Sequence, residues 1–165
     1  MATHVANADI STSVVQLPKK LVSWVPSRPV VATVGDLYLT PDVYRRMIPA
    51  DDGRDALRAA ATAAFDQFVE LGASAHRLFA DSWGRLGVAQ LKVMSPKPGT
   101  RLIGGFVEPL LFIGLRIYWR DELDFKATGQ KGLIDYRTLG QQVATEWGAL
   151  LPNFRRKPMK EFENE

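Results

Sequence analysis

Hydrophobic positions in this chain recur mostly at helical spacing. Leu57, Ala61, Ala64, Phe65, Phe68 and Leu71 fall three and four residues apart, which predicts an amphipathic helix over residues 53–71. Gly72 ends it. Leu78, Phe79, Ser82, Trp83 and Leu86 then share one side of a second helix over 73–85, and the short link makes the two antiparallel neighbours. Phe106, Val107, Leu110, Leu111, Phe112, Ile113, Leu115, Ile117, Tyr118 and Trp119 are apolar almost all round a third helix over 106–121, the pattern of a helix in the middle of a bundle or an assembly. Leu139, Val143, Trp147 and Leu150 form the stripe of a fourth, over 135–150, which ends before Pro152.

The rest of the pattern is weaker. Residues 1–12 are small and polar, which predicts disorder. Pro18, Pro26, Pro29 and Gly35 break up β-branched runs, leaving short extended pieces at 30–34 and 37–39. Thr40-Pro41-Asp42 supplies a cap, a first-turn proline and a first-turn acid, so a short helix runs to Met47 before Ile48-Pro49 stops it. Residues 90–93 read as a strand ahead of the breaker Ser95-Pro96-Lys97-Pro98-Gly99, and 122–134 as a polar loop. The architecture expected is all-α: an antiparallel four-helix bundle with small β or extended pieces and extended termini. It divides into an N-terminal extension (1–50), the bundle core (51–152) and a charged tail (153–165). The loops at 72–76 and 122–134 would share one end.

Composition narrows the chemistry. The 165 residues include no cysteine, which excludes disulfides, thiolate metal sites and a Cys nucleophile. The histidines are His4 and His76, too few for a His-rich metal site. Net charge is +3 with a pI near 9.3, which permits an acidic partner. The start lacks the pattern of a signal peptide. The apolar stretch 102–119 holds Glu108, Pro109 and Arg116 and falls short of a membrane span, so no membrane partner is expected. No phosphate-loop, dinucleotide, nucleophile-elbow or HExxH motif is present, and nothing specifies a triad around His76. The expectation is a protein that is not an enzyme, with no cofactor and no metal.

Two sets of charges allow a functional reading. Asp81 and Glu108 are either solvated positions near helix ends or a carboxylate pair, within a subunit contact or across one, whose repulsion loosens an assembly as pH rises. Arg116, Arg120, Lys126, Lys131 and Arg137 face Asp121, Glu122, Asp124 and Asp135 in the segment 116–137, either as a salt-bridged loop or as a weak phosphate contact surface. Affinity for nucleic acid would then come from many subunits acting together.

Several pieces, in order and at close spacing across 67–163, resemble the coat proteins of rod-shaped plant RNA viruses of the tobamovirus and virgavirus type. They are Gln67-Phe68, Phe79-Ala80-Asp81-Ser82-Trp83, Gln90 with Val93 and Pro96, Val107-Glu108-Pro109-Leu110, and Phe162-Glu163 after a basic run. The resemblance implies a capsid protein whose four-helix bundle self-assembles into a helical rod around single-stranded RNA. Its location would be the virion and the host cytoplasm. It implies RNA contacts from Ser74, His76 and Arg77, from Arg116 and Arg120, and from Lys131, Asp135 and Arg137. It also implies that Asp81 and Glu108 are the inter-subunit carboxylates. The family's arginine at the start of the second helix has no counterpart here at 72–74.

Three other classes compete. A ribbon-helix-helix DNA-binding regulator fits residues 36–40, 41–48 and 53–71 loosely, although Asp36 on the strand would repel phosphate. A small enzyme is the second, disfavoured by the lack of any catalytic constellation in the sequence. A structural assembly protein without nucleic acid is the third.

Overall fold

The computed structural model describes residues 17–124, 129 and 131–162. The expected disorder of 1–12, and the residues Lys126 and Glu163, lie outside them. In place of an all-α bundle, the chain builds a six-stranded sheet with an apolar cluster on each face. The strands are β1 (Val22–Ser23), β2 (Asp36–Leu39), β3 (Phe79–Trp83), β4 (Val88–Val93), β5 (Thr100–Glu108) and β6 (Leu111–Trp119). They lie in the order β1-β2-β6-β5-β4-β3. Every pair is antiparallel except β2 with β6. The helices among the described residues are α1 (Pro41–Met47), α2 (Asp55–Leu71) and α3 (Tyr136–Leu150). A small parallel pair, β7 (Leu123–Asp124) and β8 (Ile134–Asp135), leads into α3.

The three helices stand where period and caps placed them. Thr40 caps α1, its hydroxyl accepting from the Val43 N–H at 3.4 Å, and Pro41 opens it. The helices expected at 73–85 and 106–121 are absent. The second of these is a strand hairpin, β5–β6, joined through Pro109 and Leu110. A strand buried on both faces is apolar at every position, so it carries no period to tell it from a buried helix. Ile113, Ile117, Tyr118 and Trp119 suit a pleated surface better than a helix. Pro109 turns the chain; it does not start a helix. In 73–85, Gly72–Leu78 is a 3₁₀ segment and Phe79–Trp83 is the edge strand β3.

The described part of the N-terminal segment joins the sheet. β2 lies inside the sheet between β1 and β6, so the boundary expected at residue 50 falls within one packed unit. Residues 30–34 form no strand, whereas 37–39 fall within β2 and 90–93 within β4.

Alternation along the strands divides the core. Leu91, Leu102, Phe106 and Phe112 pack with Phe65 and Phe68 of α2. Val88, Ile103, Leu111, Ile113 and Leu115 pack with Leu139, Val143 and Trp147 of α3. A bulge adjusts this pattern. Ile103 pairs with Arg116 and Gly104 with Gly114, so Leu115 is an extra residue on β6. After it, Arg116 points toward α3, where Glu146 and Gln142 hold its guanidinium, and Ile117 joins the α2 side. Gly104 permits the close approach: a Cβ there would stand 1.8 Å from the Ile113 carbonyl oxygen.

Among the described residues no helix is long and apolar enough to cross a membrane.

Candidate functional site

Among the described residues, two of the concavities on the surface differ in charge. The larger, about 500 Å³, lies between α1, β6 and α3. Its arginines are neutralised. Arg46 donates to both Glu122 carboxylate oxygens at 2.9 and 3.1 Å and to the Ile117 carbonyl at 2.8 Å. Arg116 is paired with Glu146, and that hydrogen bond raises its pKa.

The smaller, about 420 Å³, is lined by Gln90, Lys92, Met94, Lys97, Pro98, Arg101, Arg120 and Tyr136. Among the described residues four cations line it and no carboxylate does. β4 and β5 bring two of them together, because Lys92 and Arg101 are directly opposed Cα partners. Like charges in that relation repel, so the sequence here acts against the stability of the strand pair. The loop between the strands supplies Lys97. Gly99 closes that loop at φ +87°, donating its N–H to the Pro96 carbonyl at 2.9 Å. The Gly99 carbonyl in turn accepts from the Arg120 N–H at 2.9 Å, which brings the segment after β6 to the same cavity.

Arg101 is the unusual member. Its residue is 4% exposed, yet among the described residues no carboxylate pairs with it. Its Nη1 donates to the Thr100 carbonyl at 2.9 Å and, more weakly, to that of Val93 at 3.4 Å. Nη2 lies 3.5 Å from the Met94 sulfur. Burial pushes its pKa down, and the positive charge of Arg120 adds to that. A buried guanidinium without a counter-ion is costly, and an anion entering the cavity would relieve it.

Gln90 contributes a different group. It is 1% exposed, and its Nε2 donates to Ser82 Oγ at 2.5 Å and to Tyr136 Oη at 2.7 Å. Its Oε1 has no hydrogen-bond partner. Tyr136 begins α3, and its ring packs 4.9 Å from that of Trp83. Asp135 caps the helix by accepting from the Arg137 N–H at 3.0 Å.

Of the residues expected to contact RNA, Arg120 lines this cavity. Asp135 and Arg137 flank Tyr136 and are paired with each other, and Lys131 is exposed in the preceding loop. Arg116 belongs to the other concavity. Ser74, His76 and Arg77 sit on the 3₁₀ segment after α2, on the opposite side of the sheet. There His76 Nε2 lies 2.6 Å from the Pro109 carbonyl, and its ring packs among Phe68, Phe106 and Phe162. Asp81 and Glu108 do not form a pair within the chain: β4 separates their strands, and Glu108 is bound by Lys157 at 2.9 Å. Among the described residues no group of three His, Asp or Glu side chains is placed to hold a metal.

Sequence reasoning missed Lys92, Lys97, Arg101, Gln90 and Tyr136 as a site. The available signal was a cation inside each of two apolar strands, Lys92 between Leu91 and Val93 and Arg101 before Leu102-Ile103. No family model, curated protein or solved structure matches this chain.

Proposed function

We propose that this chain is a binding protein for phosphate-bearing ligands, with the phosphate seated among Lys92, Lys97, Arg101 and Arg120. The observation that carries this reading is Arg101, a buried arginine that no carboxylate among the described residues pairs with, in a cavity whose other described charges are also positive. Guanidinium and ammonium groups together match the geometry and charge of phosphate. The cavity's volume lies in the range of small-molecule sites, whose ligands are largely enclosed. Catalysis is not part of the proposal.

Arg120 favours a second reading, because it belongs both to the cavity and to the expected RNA contacts. In that reading one backbone phosphate of single-stranded RNA enters the cavity. The rod implied by the resemblance is an assembly of four-helix bundles, and this chain folds around a six-stranded sheet. The strand a ribbon-helix-helix dimer would pair with its copy, β2, is already paired on both sides.

Isothermal titration calorimetry with inorganic pyrophosphate tests the proposal. Wild-type protein should bind it, and Arg101→Met should bind at least about 10-fold more weakly, since hydrogen bonds to charged groups are worth about 1.5–3 kcal/mol. Absence of binding by both pyrophosphate and oligouridylate would sink the proposal. Binding of oligouridylate that strengthens with length and weakens steeply with salt would select the RNA reading.

A further inference from the structure

We infer that the two concavities are the ends of one groove beside α3, and that its ligand is a phosphate monoester with an apolar body. The phosphate sits on the cations of the smaller end and the body lies in the larger. The inference rests on the phosphate reading above and names the ligand class. A phosphate group alone leaves most of a cavity of about 420 Å³ unfilled, so the ligand extends beyond it.

The strand register joins the two ends. Gln90, Ile103 and Arg116 are Cα partners in a row across β4, β5 and β6. α3 covers that row: Tyr136 meets Gln90, Leu139 and Val143 cluster with Ile103, and Gln142 and Glu146 hold Arg116. Two residues further along each strand, about 7 Å away, Lys92, Arg101 and Tyr118 form the next row on the same face. This second row runs along the flank of the helix and belongs to both concavities. Lys92 and Arg101 line the smaller, Tyr118 the larger. Arg101 and Tyr118 are directly opposed, so one strand spacing, about 4.8 Å, separates the cationic end from the other.

The ends differ in what they can hold. The smaller attracts an anion through Lys92 and the buried Arg101. In the larger, Arg46 is paired with Glu122, Arg116 with Glu146 and Asp42 with Arg45, while Val43, Leu115 and Leu150 supply hydrocarbon. A charged group entering there would compete with pairs already made. An uncharged apolar group displaces water and leaves them intact.

The test uses the full chain and titrates inorganic phosphate, 1-naphthyl phosphate and octyl phosphate. At least one ester should bind about 10-fold or more tightly than inorganic phosphate, because its body buries apolar surface that phosphate lacks. Ala149 lines the larger concavity and is exposed on α3, so Ala149→Trp fills that end without entering the core. The variant should bring the ratio to within about twofold and leave the affinity for inorganic phosphate unchanged; Ala149→Met replaces it if the tryptophan variant does not fold. Phosphate or pyrophosphate binding with no gain from either ester overturns this inference and leaves the phosphate reading standing, as does a gain that Ala149→Trp does not reduce. Binding of oligouridylate but of neither ester overturns it in favour of RNA. Binding of none of these ligands overturns both readings.

Discussion

The two faces of the sheet are built to different ends. On the α2 face, Phe68, Phe79, Phe106 and Phe112 form a closed aromatic cluster, with ring centroids 4.8–6.2 Å apart among the contacting pairs Phe68–Phe79, Phe68–Phe106, Phe79–Phe106, Phe79–Phe112 and Phe106–Phe112. Phe162, from the C-terminal segment, packs against Phe106 on this face. On the α3 face the core is mostly aliphatic around Trp147, and it gives way at the start of α3 to Gln90, Lys92, Arg101 and Arg120. One face obtains stability from burying hydrocarbon. The other gives up some stability by opposing cations and burying one of them. If the cavity binds phosphate as proposed, that contrast marks the second face as the place where selection for binding acted against selection for stability.

The sharpest break of the comparison is on the aromatic face. Phe106→Ala should cost about 3–5 kcal/mol in urea-induced unfolding, the range for a buried Phe truncated to Ala. Its folded fraction should bind pyrophosphate as wild type does. Arg101→Met should do the reverse. Pyrophosphate affinity should fall at least about 10-fold, while unfolding free energy stays level or rises by about 1–2 kcal/mol, because replacing an uncompensated buried charge by an apolar group of similar size is neutral or stabilising. A loss of stability near that of Phe106→Ala would place Arg101 among structural residues and remove the contrast.

Lys92→Ala should have a smaller effect, about fivefold in pyrophosphate affinity, or roughly 1 kcal/mol, since a partly exposed ammonium is screened. The same variant should flatten the dependence of affinity on salt, measured by repeating the titration between low and moderate ionic strength.

The smallest effect expected is on pH dependence and lies outside the cavity. Asp52 accepts from Arg58 Nη1 and Nη2 at 2.7 and 2.6 Å, and this pairing holds its carboxyl well below the usual aspartate range. A folded pKa below the unfolded one means the contribution is complete above the ordinary carboxylate range and is lost as pH falls below it. Asp52→Asn should therefore reduce the decline of Tm between pH 5 and pH 3 and leave pyrophosphate affinity at pH 7 unchanged. An equal decline in both proteins would show that Asp52 carries no such linkage.

Legibility followed burial. α1, α2 and α3 each have one wet face, so the apolar stripe, and for α1 the capping residue Thr40, were visible in the sequence. β5 and β6 are buried on both faces and show no stripe, and the same holds for much of β4. Their apolar run was long enough to pass for a buried helix, and Glu108-Pro109 looked like its start. Asp81 and Glu108, near Trp83 and Pro109, suggested a repelling pair; within the chain the strand order puts β4 between them.

The sequence by itself determined the amphipathic helices and their caps, the absence of cysteine chemistry and the mild excess of positive charge. These are local properties, fixed by neighbours three or four residues apart or by composition. Only the tertiary structure decided that 106–121 pairs as a hairpin, that β2 enters the sheet beside β6, and that Lys92, Lys97, Arg101 and Arg120 line one cavity. Strand partners are chosen by contacts distant along the chain, and a cation's role depends on whether a carboxylate lies within reach once those contacts have formed.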